Sequence, residues 1–275
     1  MIKKQLLHGL PRPRKRFGQH FLVDQGALRR VLTAADVQPT DLVVEIGPGT
    51  GLLTRLLAQR AARVIAVEMD EALVTRLKND LDGFPNLSIV QGDAREWDPA
   101  TVGEPYKVVA NLPYYAANPI IRRFLETGPK PQSMVVMVQQ EVANNMVAAP
   151  GKMGILSVAT QFYAEASLVC TVPPNAFKPP PKVTSAVVKL VLRIAPAVET
   201  GDVAGGNDGF FQVVKAGFSA PRKQIRNSLS HGLAVAPDTA GAVLETAGID
   251  STRRAETLAL EEWDRLYHAW EKLKE

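Results

Sequence analysis

Gly47-Pro48-Gly49-Thr50-Gly51 is the first run of the chain whose residue types and spacing suit chemistry rather than packing. Glycines in a strand-to-helix turn let the backbone bend tightly and let a ligand approach it with no Cβ in the way. A dinucleotide fingerprint needs its third glycine at position 52, which is Leu52; here the third glycine comes one residue early. Alone, such a turn is weak grounds for a site. Glu68 adds to it, standing about 20 residues beyond the turn, where an acid can accept both hydroxyl protons of a ribose. Asp93, in Gln91-Gly92-Asp93, is placed to accept a proton from an adenine amino group. The Lys-Ser/Thr pair of a triphosphate loop is missing, so the pattern favours an adenosyl ligand without a phosphate chain, S-adenosylmethionine (AdoMet) ahead of NAD or ATP.

These residues need a scaffold that brings them together. Short apolar runs at 42–46, 64–68, 87–91, 107–110 and 134–138 alternate with helix-length segments. That rhythm predicts a parallel sheet covered by helices on both faces, a doubly wound α/β fold, for about the first 190 residues. Gly47, Glu68, Asp93 and the tetrapeptide Asn111-Leu112-Pro113-Tyr114 would then all fall at the carboxyl edge, where open sheets bind ligands. Residues 194–208 are polar and Gly-rich without periodicity and read as a linker between domains 1–193 and 209–275. Beyond it, 210–218, 222–229 and 257–273 read as helices. Trp263, Leu266, Tyr267 and Trp270 share one helical face and are assigned to a small core without chemistry.

Charge supplies a second line of inference. Lys and Arg number 32 against 28 Asp and Glu, a net of +4. The basic residues are clustered: Lys3, Lys4, Arg12, Arg14, Lys15 and Arg16 in 1–23, Lys178, Lys182, Lys189 and Arg193 in 166–198, and Lys215, Arg222, Lys223 and Arg226 in 209–237. None of these segments holds an acid, which leaves 18 basic against 28 acidic groups elsewhere, a net of −10. An acidic body with three basic segments predicts a polyanionic partner gripped at chosen places; three solvated faces are the plainer alternative. Cys170 is the only cysteine, which excludes a disulfide within the chain. The four histidines show no metal-ligand spacing, so no metal is expected. No charge-free apolar run approaches the roughly 18 residues of a spanning helix, so the chain is expected to be cytoplasmic, without a membrane partner.

Asn111-Leu112-Pro113-Tyr114 resembles the Asn/Asp-Pro-Pro-Tyr/Phe motif of amino-group methyltransferases, in the form found in ribosomal RNA adenine N6-dimethyltransferases. The resemblance extends over nearly the whole chain. Arg14-Lys15-Arg16-Phe17-Gly18-Gln19-His20-Phe21-Leu22 is similar to that family's basic amino-terminal signature, which implies cofactor contacts at His20 and Leu22. Many members have Asn at the place of His20, so the contact there is expected through the backbone. Gly47, Gly49, Glu68, Asp93 and Asn111 match cofactor positions of the family. Phe177-Lys178-Pro179-Pro180-Pro181-Lys182-Val183 resembles its Phe-x-Pro-x-Pro-Lys-Val loop, which implies that Phe177 sandwiches the target base against Tyr114. Arg222-Lys223-Gln224-Ile225-Arg226-Asn227-Ser228-Leu229 resembles a segment of the bacterial small-subunit (16S) rRNA dimethyltransferases. On a helix, Arg222 and Arg226 would share a face and, with Lys223, grip phosphates.

The resemblance implies a Rossmann-like AdoMet-dependent methyltransferase domain with a small C-terminal all-helical, RNA-binding domain. The implied reaction is dimethylation at N6 of each of two adjacent adenosines in the 3′-terminal hairpin loop of 16S rRNA, within the assembling small subunit and by a monomer. Asn111, Leu112, Pro113, Tyr114 and Phe177 are the implied catalytic residues. The Asn111 oxygen and the Leu112 carbonyl would hold the amine, and Tyr114 would stack on the base for roughly 1–3 kcal/mol. Pro113 biases Leu112 away from helix and so helps aim its carbonyl. The rival readings are a large-subunit (23S) rRNA or DNA adenine methyltransferase, and a non-catalytic RNA-binding assembly factor.

Overall fold

The computed structural model describes residues 13, 14, 17–200 and 206–274. Of the basic amino-terminal arm, Lys3, Lys4, Arg12, Lys15 and Arg16 lie outside the described residues, as do 201–205 of the expected linker. In chain order the described residues form β1 (Phe21–Leu22), α1 (Gln25–Ala35), β2 (Leu42–Ile46), α2 (Leu52–Ala58), β3 (Arg63–Glu68), α3 (Glu71–Asp80), β4 (Leu87–Gln91), β5 (Tyr106–Asn111), α4 (Ala117–Glu126), β6 (Ser133–Gln139) and α5 (Gln140–Met146). There follow α6 (Ile155–Tyr163), β7 (Ala164–Val172), β8 (Phe177–Lys178), β9 (Ser185–Leu192), α7 (Gly206–Gly217), α8 (Ile225–Leu233), α9 (Pro237–Thr246) and α10 (Leu260–Lys274). The chain divides into two compact units, Met1–Ala143 with Ser167–Leu192, and Asn144–Ala166 with Arg193–Glu275.

The first unit is built on a sheet of order β4-β3-β2-β5-β6-β9-β7. Strands β2 to β6 are parallel, and β9 returns antiparallel to β6. Leu42–Ile46 and the Val64–Glu68 stretch of β3 are buried at every position, as strands covered on both faces must be. The helices between them are fixed by local chemistry. Asp24 and Asp70 accept hydrogen bonds from the Ala27 and Ala72 amides, capping α1 and α3. The chain winds outward through β2, β3 and β4, then crosses back to lay β5 on the other side of β2. The order therefore reverses between β2 and β5, and the crevice of such a reversal is where an open α/β sheet takes its ligand. The five expected strands are all present, β3 longer by one residue and β5 and β6 by one at each end. The antiparallel β9 and the flanking β7 lie outside the expected parallel pattern. Neither is joined to its neighbour by the strand–helix rhythm that marks the rest.

The second unit differs from the expected 209–275 domain by taking in Asn144–Ala166 as well. The reason is aromatic packing: Phe162 of α6 stacks on Phe210 with centroids 4.9 Å apart and lies 5.1 Å from Phe211. The Gly151 and Met153 amides also donate to the Glu256 carbonyl. Trp263, Leu266, Tyr267 and Trp270 line the inner face of α10 as expected, and all four are buried. A Cβ on Gly217 would lie 2.4 Å from Trp263 Cη2, so this glycine is what lets α7 approach α10. Residues 222–229 are only partly helical. Arg222 lies in the turn before α8, because the helix begins at Ile225 after an extended Gln224, so Arg222 and Arg226 do not share a helical face. Helix α9 lies outside the expected helices and carries little sequence signal, its inner face resting on Ala240, Val243 and Leu244 alone. Among the described residues no helix is long and apolar enough to cross a membrane.

Candidate active site

A cavity opens at the switch point between β2 and β5, lined by the amino-terminal stretch 17–22, the glycine turn, the ends of β3 and β4, and residues 111–116. Gly47, Gly49 and Gly51 have φ of +69°, +58° and +78°, conformations that side chains rarely adopt. Space matters as well as strain. A Cβ at Gly49 would come 3.2 Å from the Phe21 ring, and one at Gly51 would come 2.7 Å from Leu77.

The carboxylates are held, not free. Glu68 is 7 % exposed; one oxygen accepts from the Asp70 amide at 2.9 Å and the other from the Gly49 amide at 3.2 Å. The second of these bonds ties the acid to the glycine turn and so sets one against the other. Burial raises the Glu68 carboxyl above the usual range, and the two backbone bonds oppose that rise. Asp93 is gripped by Arg95, whose Nε lies 3.0 Å from each carboxylate oxygen. These bonds hold Asp93 below its ordinary range, as an ionised, acceptor-only group.

Two charged residues stand beside those given roles above: Glu45, which belongs to the 43–51 run similar to the family's cofactor positions but has no role of its own there, and Arg95, which no motif includes. Glu45, inside β2, lines the cavity at 1 % exposure, and burial pushes its carboxyl up to about 8. Its Oε2 is buried without a hydrogen bond, and the neighbouring Thr54 side chain opposes the rise. The signal available was an acid inside an otherwise apolar strand. Arg95 is the other; it stands two residues past Asp93 in a turn whose amide bonds the same carboxylate.

The tetrapeptide is fastened on three sides. Leu112 donates its amide to the Met137 carbonyl at 3.1 Å, and the Ala116 amide closes a turn on the Pro113 carbonyl at 2.9 Å. Asn111 Nδ2 donates to the His20 carbonyl at 3.2 Å. Tyr114 bonds Ser185 Oγ through its hydroxyl at 2.6 Å, and burial raises that phenol. His20 Nδ1 lies 2.8 Å from the Pro179 carbonyl; a carbonyl only accepts, so Nδ1 carries the proton. The His20 ring stacks over Tyr114 with centroids 5.8 Å apart. Beside it, Arg14 forms an ion pair at 2.9 Å with Asp70, whose other oxygen accepts from Gln19, tying the arm to the start of α3.

The expectation for Phe177 is corrected. Its ring is 2 % exposed, belongs to the core with Leu22, Leu28 and Val172, and is not among the residues that line the cavity. Antiparallel pairing of β8 with β1, with Leu22 opposite Phe177, turns the ring inward. His20, not Phe177, faces the Tyr114 ring. Arg222, Lys223 and Arg226 are all exposed, on the second unit.

A glycine turn at a topological switch point, with acids closing the next two strands and an Asn-Leu-Pro-Tyr corner beside them, places the chain among the Rossmann-like methyltransferases. The comparisons narrow the class. The pattern of the family described as Ribosomal RNA adenine dimethylase matches residues 11–272. A Ribosomal RNA small subunit methyltransferase A of Dehalococcoides mccartyi is 48% identical over 267 residues, 96% of this chain and 90% of that one. Among solved structures, a dimethyladenosine transferase from Plasmodium falciparum superposes with TM-score 0.76 at 25% identity, covering 90% of this chain and 96% of that one. The 23S rRNA methyltransferase ErmE does so with TM-score 0.73 at 30% identity, covering 90% and 98%. The chain belongs to the ribosomal RNA adenine dimethylase family.

Proposed function

We propose that the chain is the AdoMet-dependent enzyme that dimethylates N6 of each of two adjacent adenosines in the 3′-terminal hairpin loop of 16S rRNA. The small-subunit relative at 48% identity supports that target, as does the Arg222–Leu229 segment. Bases in a loop are already unpaired, so extruding one into a cavity costs little. The chain acts as a monomer on the assembling small subunit in the cytoplasm.

The residues present fit AdoMet. The glycine cradle admits a ligand where a Cβ would close the gap to Phe21, and the unpartnered Oε2 of Glu45 suits a cationic guest. Gly47, Gly49 and the backbone of His20 and Leu22 would line it, Glu68 would hold the ribose and Asp93 the adenine amino group. When bound, AdoMet supplies an electrophilic methyl group.

The orientation of Asn111 carries the mechanistic reading. Because Nδ2 is spent on the His20 carbonyl, the amide oxygen is the end left for an incoming amine. An adenine N6 lone pair is delocalised into the ring and is a poor nucleophile while the amine stays planar. Asn111 Oδ1 and the Leu112 carbonyl accept its two N–H bonds and draw them out of plane. Tyr114, fixed by Ser185, offers a face to the extruded base. The amine becomes acidic only as the methyl arrives, so positioning does most of the catalysis.

The likeness to ErmE gives a second reading, methylation of large-subunit RNA on the same cavity. Incubation with labelled AdoMet and unmethylated small or large ribosomal subunits, with dimethyladenosine mapped as reverse-transcription stops, separates the two. Label in the small-subunit hairpin is expected. Label confined to large subunits moves the assignment to the second reading, and no label in either supports a non-catalytic assembly factor.

A further inference from the structure

We infer that Tyr115 forms a second nucleotide subsite at the mouth of the cavity, one that stacks on the unpaired base next to the adenosine held by Asn111 and Tyr114. The inference rests on the RNA-adenosine reading above. Tyr114 and Tyr115 are consecutive but differently committed. Tyr114 is bonded to Ser185, whereas Tyr115 lines the cavity and is 52 % exposed, set between Tyr114 and the buried pair Ala116 and Ala117.

The ring of Tyr115 has a built seat. Gly18 packs on its edge: a Cβ there would lie 3.4 Å from Cδ1 and 3.6 Å from Cε1, and the φ of +56° strains any side chain at that position. The ring is thus placed against the amino-terminal stretch that also lines the cavity, with part of its surface open to solvent. Arg95 lies near Tyr115; its Nε and Nη2 are bonded to Asp93, and its side chain is 44 % exposed. An aromatic face beside a guanidinium is what an unpaired nucleotide uses: the ring takes the base and the cation its phosphate. A target adenosine in a hairpin loop has unpaired neighbours, and the one on the Tyr115 side presents such a nucleotide.

The test is a double cycle on equilibrium RNA binding. Wild type, Tyr115→Phe and Tyr115→Ala are each titrated with the 3′-terminal hairpin and with the same hairpin abasic at the neighbouring adenosine; AdoMet affinity is measured in parallel. Tyr115→Ala is expected to weaken binding to the intact hairpin roughly 5- to 150-fold, the span of one base–aromatic stack, with Tyr115→Phe close to wild type. The abasic hairpin should cost wild type the same factor and Tyr115→Ala nothing further, and AdoMet affinity should not move. An equal abasic penalty in wild type and Tyr115→Ala overturns the subsite. So does a fall in AdoMet affinity as large as the fall in RNA affinity, which would make Tyr115 a cofactor wall. A wild type that binds the hairpin no better than an unrelated RNA overturns the underlying RNA reading instead.

Discussion

The His20 carbonyl accepts a hydrogen bond from the Asn111 side-chain nitrogen at 3.2 Å, and this contact decides which end of the amide faces the substrate. Asn111→Ala removes the acceptor and is expected to lower single-turnover methyl transfer by about 100-fold, the scale of a lost positioning contact. RNA affinity should stay near wild type. Asn111→Asp should be no better, because a carboxylate has no N–H for His20 and would be pushed off its seat. Rapid-quench kinetics with filter binding checks both variants. An RNA affinity that falls in step with the rate would mean that Asn111 holds the RNA and not the amine.

Glu45 gives the ligand-free protein a pH dependence of definite sign. Its carboxyl titrates near 4.5 when exposed and at about 8 in the buried site, so between those values the folded state holds a proton that the unfolded state has lost. The stabilising protonation is complete below the lower value and is lost as pH rises through the higher one, a change on the order of a few kcal/mol. Glu45→Gln removes the titration. The wild-type Tm is therefore expected to fall more than that of Glu45→Gln between about pH 5 and pH 8. AdoMet, a cationic guest, should displace the Glu45 proton, so its affinity should rise with pH in wild type and less in the variant. Calorimetry at several pH values reads both; parallel Tm curves would place the ionised form in the folded protein.

Phe177 separates packing from stacking. As a fully buried ring in the core of Leu22 and Val172, it should cost about 3–5 kcal/mol of stability on replacement by Ala, with Phe177→Leu costing less. Chemical denaturation measures this. A Phe177→Ala protein as stable as wild type, with RNA binding reduced, would restore the sandwich with Tyr114.

The difference between what could and could not be read from the chain has physical causes. Strands β2 to β6 are buried on both faces, so they stand out as Val- and Ile-rich runs, and their carboxyl ends place Gly47, Glu68, Asp93 and Asn111 together without any knowledge of contacts. Phe177 was misplaced because a motif gives a residue's position along the chain but not the direction of its side chain; that direction came from pairing with β1, a two-residue strand with no pattern of its own. Residues 144–166 joined the helical unit through Phe162, a tertiary stack between segments nearly fifty positions apart in sequence. Tyr115 and Arg95 were passed over since each stands just beyond the residue that seemed to end its motif.

Arg222 and Arg226 test the remaining basic segment, now with altered geometry. Arg222 sits in the turn before α8 and Arg226 in its first turn, both exposed, so each can meet a phosphate without sharing a face with the other. Arg226 also borders a shallow cleft with Asp238, Glu245 and Asp250, acids that would repel RNA on that side and leave the side toward Arg222 as the favourable approach. If each arginine neutralises one phosphate, Arg222→Ala with Arg226→Ala should reduce the slope of log affinity against log salt by roughly 1.4 to 1.8, depending on whether the contacts fall on single- or double-stranded RNA. Single variants should each lose about half. Methyl transfer at saturating RNA should persist, as both lie outside the cavity-lining set. Titration of small-subunit RNA over a salt series makes the measurement. A slope unchanged in the double variant would remove the turn and α8 from the interface and leave RNA binding to the first unit.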